Sequence, residues 1–551
     1  MQVNACARNS AFIADAYVSI SCIKKTMDTS CGVWDDGDAK ARDLPNELWI
    51  QIFNNLSHGD LLETRVVCKH WYQLVCTSQL KRKSKLVITK RNLKDIFNLM
   101  EYKHLKYERL EIYGKWENFS SEEREFLIKI FKNLESDITQ LKLYSASFLP
   151  LLNNSLPKMT ELDLSCMQPW DNLSIDFKTF LNVKSILMPR SHSRLSQLMW
   201  GLIVLPEIRL ERLSLNINPY RFCLNTASPL FFPSPREGLI MLAAYASSLR
   251  WLKFSLSGPL AEGQHYMKNV FKMFTQLEVL DITDVCKQYT RTMLQNLSER
   301  NPLKIIVLKI YSEDYDLLEL IQRKWSNTLV RVDLTYHMNG NVATPLNFTS
   351  SKIRRLFLFA NSMDPEFILN SIAPTINKTL TVLTLRSLSS VRQLDGNLIQ
   401  RIPYLIALDL GTSGLRITDK EMDCIFRHLI HLRFLALEPC EGENYDFLRS
   451  AANISNLKRL QTLRSCFCPI KVLQILNLNF KFMELKRLCR KYCERCGDLY
   501  VPLDVYNTYF PALEELSSFM FEVPDEDVEE MRKSLPRIRR YGDEEIMVEI
   551  F

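Results

Sequence analysis

From about residue 100 onward one pattern keeps returning along the chain. It is an apolar residue, two others, a leucine-like residue, one other, and a second leucine-like residue. It reads LERLSL at 210, LRWLKF at 249, LEVLDI at 277, LVRVDL at 329 and IRRLFL at 353, then LTVLTL at 380, LIALDL at 405 and LRFLAL at 432. Less regular copies are ITQLKL at 138, MTELDL at 159 and VKSILM at 183. The fourth positions are Leu141, Leu162, Ile186, Leu213, Leu252, Leu280, Ile306, Val332, Leu356, Leu383, Leu408, Leu435 and Leu460. By subtraction, neighbours lie 21–28 residues apart, with one gap of 39. Alternation of apolar and other residues turns one face of a short strand inward. The ten to fifteen residues that follow carry helical spacing. In EMDCIFRHLIHL (421–432), Met422, Ile425, Phe426 and Leu429 share one face. Such a helix returns the chain to the next parallel strand. One unit cannot bury its own apolar face, so a period in the twenties predicts units stacked around a continuous core.

The pattern is interrupted twice. The 39-residue gap holds NPYRFCLNTASPLFFPSPREG (218–238), which is too proline-rich for helix and reads as a long loop. After Leu460 two registers compete, LQILNL (473–478) and LKRL (485–488). A spacing of 28 through 460, 488 and 516 favours Leu488. PDEDVEEMRKSLPRI (524–538) reads as a closing helix, its acids at the start and its bases at the end, as the helix dipole prefers.

The stretch DLPNELWIQIFNNLSHGDLLETRVVCKHWYQLV (43–75) has a different texture, parsing into three short helices. Pro45 suits a first helical position and Glu47 the positive end of that helix. Leu48, Ile52, Phe53 and Leu56 form its expected apolar stripe. Leu61, Leu62, Arg65 and Val66 fall in a second helix, and Trp71, Leu74 and Val75 in a third. A unit this small buries little surface by itself, and its excess of apolar residues implies a partner.

Composition narrows the function classes. The 551 residues carry 70 Lys and Arg against 63 Asp and Glu, a net charge of +7, too weak to imply nucleic acid. Only 15 glycines are present, which counts against phosphate-cradling loops. The 15 cysteines are an odd number without framework spacing, which points to a reducing compartment, cytoplasm or nucleus. No apolar run reaches the ~18 residues of a membrane span. AFIADAYVSISCI (11–23) makes a poor signal peptide, because Asp15 interrupts it and Lys24 and Lys25 follow it. Residues 1–40 read as a disordered extension. No Gly-rich phosphate loop, G-x-S-x-G or H-E-x-x-H occurs, so no catalytic residue, metal or cofactor is expected. Cys489, Cys493 and Cys496, with Cys466 and Cys468 upstream, contain one C-x-x-C pair, whereas a structural zinc needs four ligands.

Two resemblances attach to these patterns. LDLGTSGLRITDKEMDCIF (408–426) and MTELDLSC (159–166) resemble the units of F-box/leucine-rich-repeat proteins. The 43–75 stretch resembles an F-box. Its LP-x-E-L opening falls on Leu44, Pro45, Glu47 and Leu48, and its I-F-x-x-L on Ile52, Phe53 and Leu56. Its D-L-L falls on Asp60, Leu61 and Leu62, and its V-C-K-x-W on Val67, Cys68, Lys69 and Trp71. The resemblance implies an α/β chain: a three-helix F-box at 41–88, then a curved solenoid of about 15 leucine-rich repeats at 89–540, strands concave and helices convex, with a tail at 541–551. It also implies a non-catalytic substrate-recognition subunit of an SCF-type cullin–RING ubiquitin ligase. Leu44, Pro45, Leu48, Ile52, Phe53, Leu56, Leu61, Leu62, Val67 and Trp71 would meet the S-phase-kinase-associated adaptor on its cullin–RING scaffold, and the repeats would hold a protein substrate rather than nucleic acid or membrane. Two alternatives stay open, an adaptor-bound scaffold without ubiquitylation and a receptor gated by a small molecule.

Residues that flank the inward positions of each strand point to the face opposite the core. Among them Trp251, Arg331, Arg355, Phe357, Phe359, Arg386 and Phe434 combine arginine with aromatics, the usual anchors of binding surfaces, and are the expected substrate contacts. Arg355, Phe357 and Phe359 form the preferred spot. The basic tilt points to an acidic or phosphorylated substrate segment.

Overall fold

The computed structural model describes residues 45–53, 67–75, 85–102, 107–114, 120–145, 156–167, 182–188, 208–217, 235–256, 263–311, 316–337, 352–360, 376–387, 392–393, 396–412, 415–417, 419–437, 453–465, 481–490, 503–518 and 540–541, with single positions at 61, 64, 77, 80, 148, 151, 314 and 348. The chain divides into two compact units, Met1–Ser84 and Lys85–Phe551. The 1–40 extension, the 524–538 helix and the LQILNL stretch lie outside the described residues.

In the first unit the described helices are α1 (Asn46–Phe53) and α2 (Lys69–Val75). Pro45 directly precedes α1, and its carbonyl accepts the Leu48 and Trp49 amides at 3.0 and 3.2 Å. The intervening segment of the expected second helix is described only at single positions. Phe53, Leu61, Leu74, Val75 and Leu80 form the core, with Trp49, Ile50 and Trp71 packed against it.

The second unit begins with β1 (Lys85–Ile88), α3 (Leu93–Tyr102), β2 (Arg109–Ile112), α4 (Ser121–Leu134), β3 (Gln140–Leu143), β4 (Glu161–Asp163), β5 (Ser185–Leu187) and β6 (Arg212–Ile217). It continues with α5 (Pro235–Tyr245), β7 (Trp251–Leu256), α6 (Gly263–Lys272), β8 (Val279–Ile282), α7 (Lys287–Asn296), β9 (Ile305–Tyr311), α8 (Asp316–Trp325), β10 (Arg331–His337), β11 (Arg355–Ala360) and β12 (Val382–Ser387). After them come β13 (Arg392–Gln393), α9 (Gly396–Arg401), β14 (Ala407–Thr412), β15 (Leu415–Arg416), α10 (Asp419–His428), β16 (Phe434–Ala436), β17 (Thr462–Ser465), β18 (Arg487–Arg490), α11 (Leu503–Tyr509), β19 (Glu515–Ser518) and β20 (Arg540–Tyr541). Eighteen strands make one sheet, and β13 and β15 form a separate pair. In the large sheet each strand pairs in parallel with the next in chain order. Leu110 aligns with Leu141, Leu162 with Ile186, Ile306 with Val332, and Leu356 with Leu383. This layout is compatible with the repeat array expected from the sequence.

The three apolar positions of each copy all turn inward. Leu210, Leu213 and Leu215 are buried, as are Leu249, Leu252 and Phe254, and Leu380, Leu383 and Leu385. They join one continuous core with the inner faces of the helices, such as Met422, Ile425 and Phe426 of α10, and with Leu429 just beyond it. At ~1.5–3 kcal/mol for each fully buried large aliphatic, three per unit is the main stabilising contribution.

Polar links tie neighbouring units together at fixed places. Asn301 is buried; its Oδ1 accepts the Leu277 amide, and its Nδ2 donates to the Phe274 and Ser298 carbonyls, all at 2.9 Å. The Lys324 ammonium donates to the carbonyls of Leu294, Gln295 and Leu297, each at 2.8 Å. It thereby caps the C-terminal end of α7, where a cation is favoured. At the strand entrances, Lys184 pairs with Glu211 at 2.9 Å, and Glu278 lies between Arg250 and Lys304. Exposed pairs of this kind add little each.

Three boundaries differ from the sequence reading. Residues 85–88 belong to the sheet, because Leu86 and Ile88 align with Leu110 and Ile112; in the copy KSKLVI (83–88) Lys83 replaces the first apolar residue, so the pattern does not show it. Pro235–Tyr245 is helical although it begins inside the proline-rich stretch. Proline fits the first turn of a helix, where its missing N–H has no partner to lose. Leu460 is buried but is not the anchor of its strand. The residue in register with Leu435 and Leu488 is Leu463, and Leu488 aligns with Leu516. Leu457, Leu460 and Leu463 are each three apart and all buried, so the apolar pattern fits two frames and only strand pairing chooses.

Two outcomes are expected on thermal melting. Leu408→Asp places an unpaired charge in the continuous core and unfolds the neighbouring units, so an unchanged transition would refute the register. Asn301→Ala leaves the buried Leu277 amide and Phe274 carbonyl short of a partner, while the Ser298 carbonyl keeps the residue-301 amide, and costs about 1–3 kcal/mol for each group left unsatisfied.

Candidate functional site

The first unit is apolar on two sides. On α1, Trp49 and Phe53 are one turn apart and face the core, where they meet Trp71 of α2. The ring centroids are 5.6 Å apart for Trp49–Phe53, 4.9 Å for Trp49–Trp71 and 5.3 Å for Phe53–Trp71. Leu48 and Ile52, also one turn apart, point to solvent at 43% and 45% exposure. Val67 and Tyr72 are equally exposed. Four of the eleven large exposed apolar side chains among the described residues therefore fall in this small unit.

This corrects the single stripe expected from the sequence. Phe53 and Leu61 are buried in the unit's own core, Trp71 is partly buried against it, and Leu48, Ile52, Val67 and Pro45 stay accessible. An eight-residue helix with apolar residues at five positions, 48–50 and 52–53, interrupted only by Gln51, presents more than one apolar face. Leu44, Leu56 and Leu62 lie outside the described residues. Cys68 has a local role: its Sγ accepts the Trp71 amide at 3.4 Å, and its carbonyl accepts the Tyr72 amide at 2.9 Å, which starts α2.

The second candidate is the sheet face opposite the core. Trp251, Arg331, Arg355, Phe357, Phe359 and Arg386 all occupy flanking positions there and are partly exposed. Strand register brings most of them together. Arg331 aligns with Arg355, Asp333 with Phe357, and Phe359 with Arg386. The Arg386 guanidinium lies over the Phe357 ring at 5.4 Å. On the adjoining strands, Tyr311 and His337 are register partners with stacked rings 5.4 Å apart, and the Lys309 ammonium lies 5.3 Å from the Tyr311 ring. Tyr311, His337 and Lys309 join the cluster through register. Trp251 is apart from it, on β7, under the Arg212 guanidinium at 5.0 Å.

Phe434 is a correction. It occupies a flanking position but is only 5% exposed, packed with Ala407, Ala436 and Val382. Two alanines beside it leave room for the ring to lie against the strands, so it is not an accessible contact.

The acids of this face are mostly engaged. Lys253 pairs with its register partner Asp281 at 2.9 Å, and Arg331 grips Asp333 through Nε and Nη2 at 2.9 and 2.6 Å. Asp163, Asp281 and Asp409 each accept the amide two residues on, which turns the chain out of the strand. At the amino end Glu111 binds Lys85 and accepts the Tyr144 hydroxyl at 2.7 Å. Burial raises the Glu111 pKa, but these partners outweigh it and hold the group ionised below the ordinary carboxylate range. Across β9 to β12 the balance is basic. Burial first, and then the neighbouring Arg331, lowers the Arg355 pKa, and burial with Lys309 lowers that of His337.

Among the described residues no group of His, Cys, Asp and Glu could hold a metal ion. Of the cysteines around 466–496 only Cys489 is described, and it is buried. No described helix is long and apolar enough to cross a membrane.

Comparison with known proteins bears on the first unit. Residues 42–83 match the F-box domain family. No curated protein matches the chain significantly. Among solved structures, the chain is similar to one in a crystal structure of a TLR13–ssRNA13 complex, at 14% identity over 80% of each chain, with a TM-score of 0.34.

The position of His337 has a pH consequence. Its neutral form is favoured in the fold, so the unfolded chain binds more protons between the lowered pKa and the ordinary value of 6.5. The neutral ring's contribution is present above the ordinary value and is lost as pH falls through that window. An NMR titration is expected to place the His337 midpoint below 6.5, and His337→Phe to flatten the fall in stability on acidification.

Proposed function

Given an F-box domain at residues 42–83, we propose that the chain is the substrate-recognition subunit of an SCF-type cullin–RING ubiquitin ligase. The observation that carries this reading is the double-sided helix α1. Its inner side already satisfies the unit's own core, yet Leu48 and Ile52 remain on the outside with Val67 and Tyr72. Exposed apolar side chains concentrated in so small a unit mark a surface for another polypeptide. F-box domains generally bind the S-phase-kinase-associated adaptor, and Leu48, Ile52 and Val67 are the residues offered to it here. Pro45 stands beside them at the helix start.

In this reading the chain performs no chemistry. The adaptor and cullin bring a charged ubiquitin-conjugating enzyme, and the repeats of the second unit hold the substrate near it, raising the effective concentration of its lysines. The setting is cytoplasm or nucleus, where the other subunits work. The chain could instead use the adaptor without ubiquitylation, and polyubiquitin transfer to a co-purified protein separates the two.

The test compares two kinds of substitution. Leu48→Asp with Ile52→Asp alters only accessible side chains, so the melting transition should hold while the adaptor and cullin are lost from the purified complex. Phe53→Ala instead empties the unit's own core, at a cost of about 3–5 kcal/mol. Adaptor retained by the folded Leu48→Asp, Ile52→Asp protein would overturn the proposal.

A further inference from the structure

The face opposite the core is unevenly charged. On the flanking positions of β9 to β12 there are four cations, Lys309, Arg331, Arg355 and Arg386, against one carboxylate, Asp333. On β2 to β4 the corresponding positions carry Arg109 and Lys142 against Glu111, Glu161 and Asp163. The excess of positive charge is therefore local. It coincides with Phe357 and Phe359, which sit in register between Asp333 and Thr335 on one side and Thr384 and Arg386 on the other. Arg386 stacks on one of these rings and its Nε is buried without a hydrogen-bond partner. A guanidinium held over an aromatic ring has its orientation fixed, and its terminal N–H groups suit a planar anion.

From this juxtaposition we infer that β9 to β12 bind a short acidic peptide segment, in which Asp or Glu side chains meet Arg355, Arg386 and Lys309 and an apolar or aromatic side chain packs on Phe357 and Phe359. The inference rests on the receptor reading and gives its substrate class. Size and charge favour a peptide over a nucleic acid. Four strands at ~4.8 Å spacing span about 15 Å, the length of four or five extended residues. The patch is bounded by Asp281 on β8 and Asp409 on β14, each on the same face. A continuous polyanion crossing the sheet would meet those carboxylates, whereas a short acidic run would not. Like charges concentrated across the patch are relieved when an anion arrives, so binding weakens as salt rises.

The experiment selects a displayed library of random 12-residue peptides on the full chain in complex with its adaptor. The selected peptides are then measured by fluorescence anisotropy. Enrichment of Asp and Glu beside an aromatic or apolar residue is expected, with at least a tenfold loss of affinity in Arg355→Glu, Arg386→Glu. Lys268→Glu changes charge on an exposed position of α6 and should leave affinity unchanged. Enrichment of neutral or basic peptides would overturn the inference. So would acidic peptides that bind the Arg355→Glu, Arg386→Glu protein as well as the original. Twelve-nucleotide single-stranded RNA that binds more tightly than the selected peptides, and is lost in the same variant, would assign the patch to nucleic acid instead. Adaptor binding is read separately on the unsubstituted chain: an adaptor-bound chain that selects no acidic peptide refutes only the substrate class, and a chain that selects acidic peptides without binding the adaptor refutes only the ligase role.

Discussion

The second unit depends on a column of aliphatic side chains that no single repeat can bury. Each strand supplies two or three of them, and each is covered by the equivalent residues of the strands on either side. Leu252, for example, aligns with Leu213 before it and Leu280 after it. The column therefore fixes the register: a one-residue slip would send every leucine to the opposite face and every flanking residue into the core. Once register is fixed, the flanking positions are fixed too, and so is the alignment of Arg331 with Arg355 and of Phe359 with Arg386.

Stacking of this kind leaves backbone groups at the turns between units, and the chain meets them with side chains that reach a neighbouring unit. Asn301 reaches Leu277 and Phe274, Lys324 reaches the end of α7, and Thr379 donates to the Ile353 carbonyl at 2.9 Å. The partner is typically 24–30 residues away. Local stability in such an array is a matter of nearest neighbours, and these links strengthen the same interfaces as the leucine column.

The first unit solves the opposite problem. It has too few residues for a large core, yet it spends apolar side chains on its surface. Trp49, Phe53 and Trp71 form a tight aromatic cluster that accounts for its internal order. Leu48 and Ile52 stand outside that cluster, and their exposure is what the proposed adaptor contact would cover. The patch on β9 to β12 carries the same logic in charge rather than in apolar area: its excess of cations is what the proposed acidic segment would relieve.

Much of this was legible in the chain. The period of the leucines determined the parallel order of the strands, and the L-x-x-L-x-L pattern named the inward residues, because burial on one face of a strand leaves a period of two in any sequence. The F-box motif was legible as a motif, since its residues lie at fixed offsets. Tertiary structure decided what periodicity leaves degenerate. It chose Leu463 over Leu460, because both are buried and only hydrogen-bonded pairing separates strand from approach. It placed residues 85–88 in the sheet and buried Phe434 among short neighbours. It also divided the apolar residues of α1 into Phe53 inside and Leu48 and Ile52 outside. A sequence records that a side chain is apolar, but which of two apolar faces finds cover depends on what packs against the helix, and that is set only when the chain has folded.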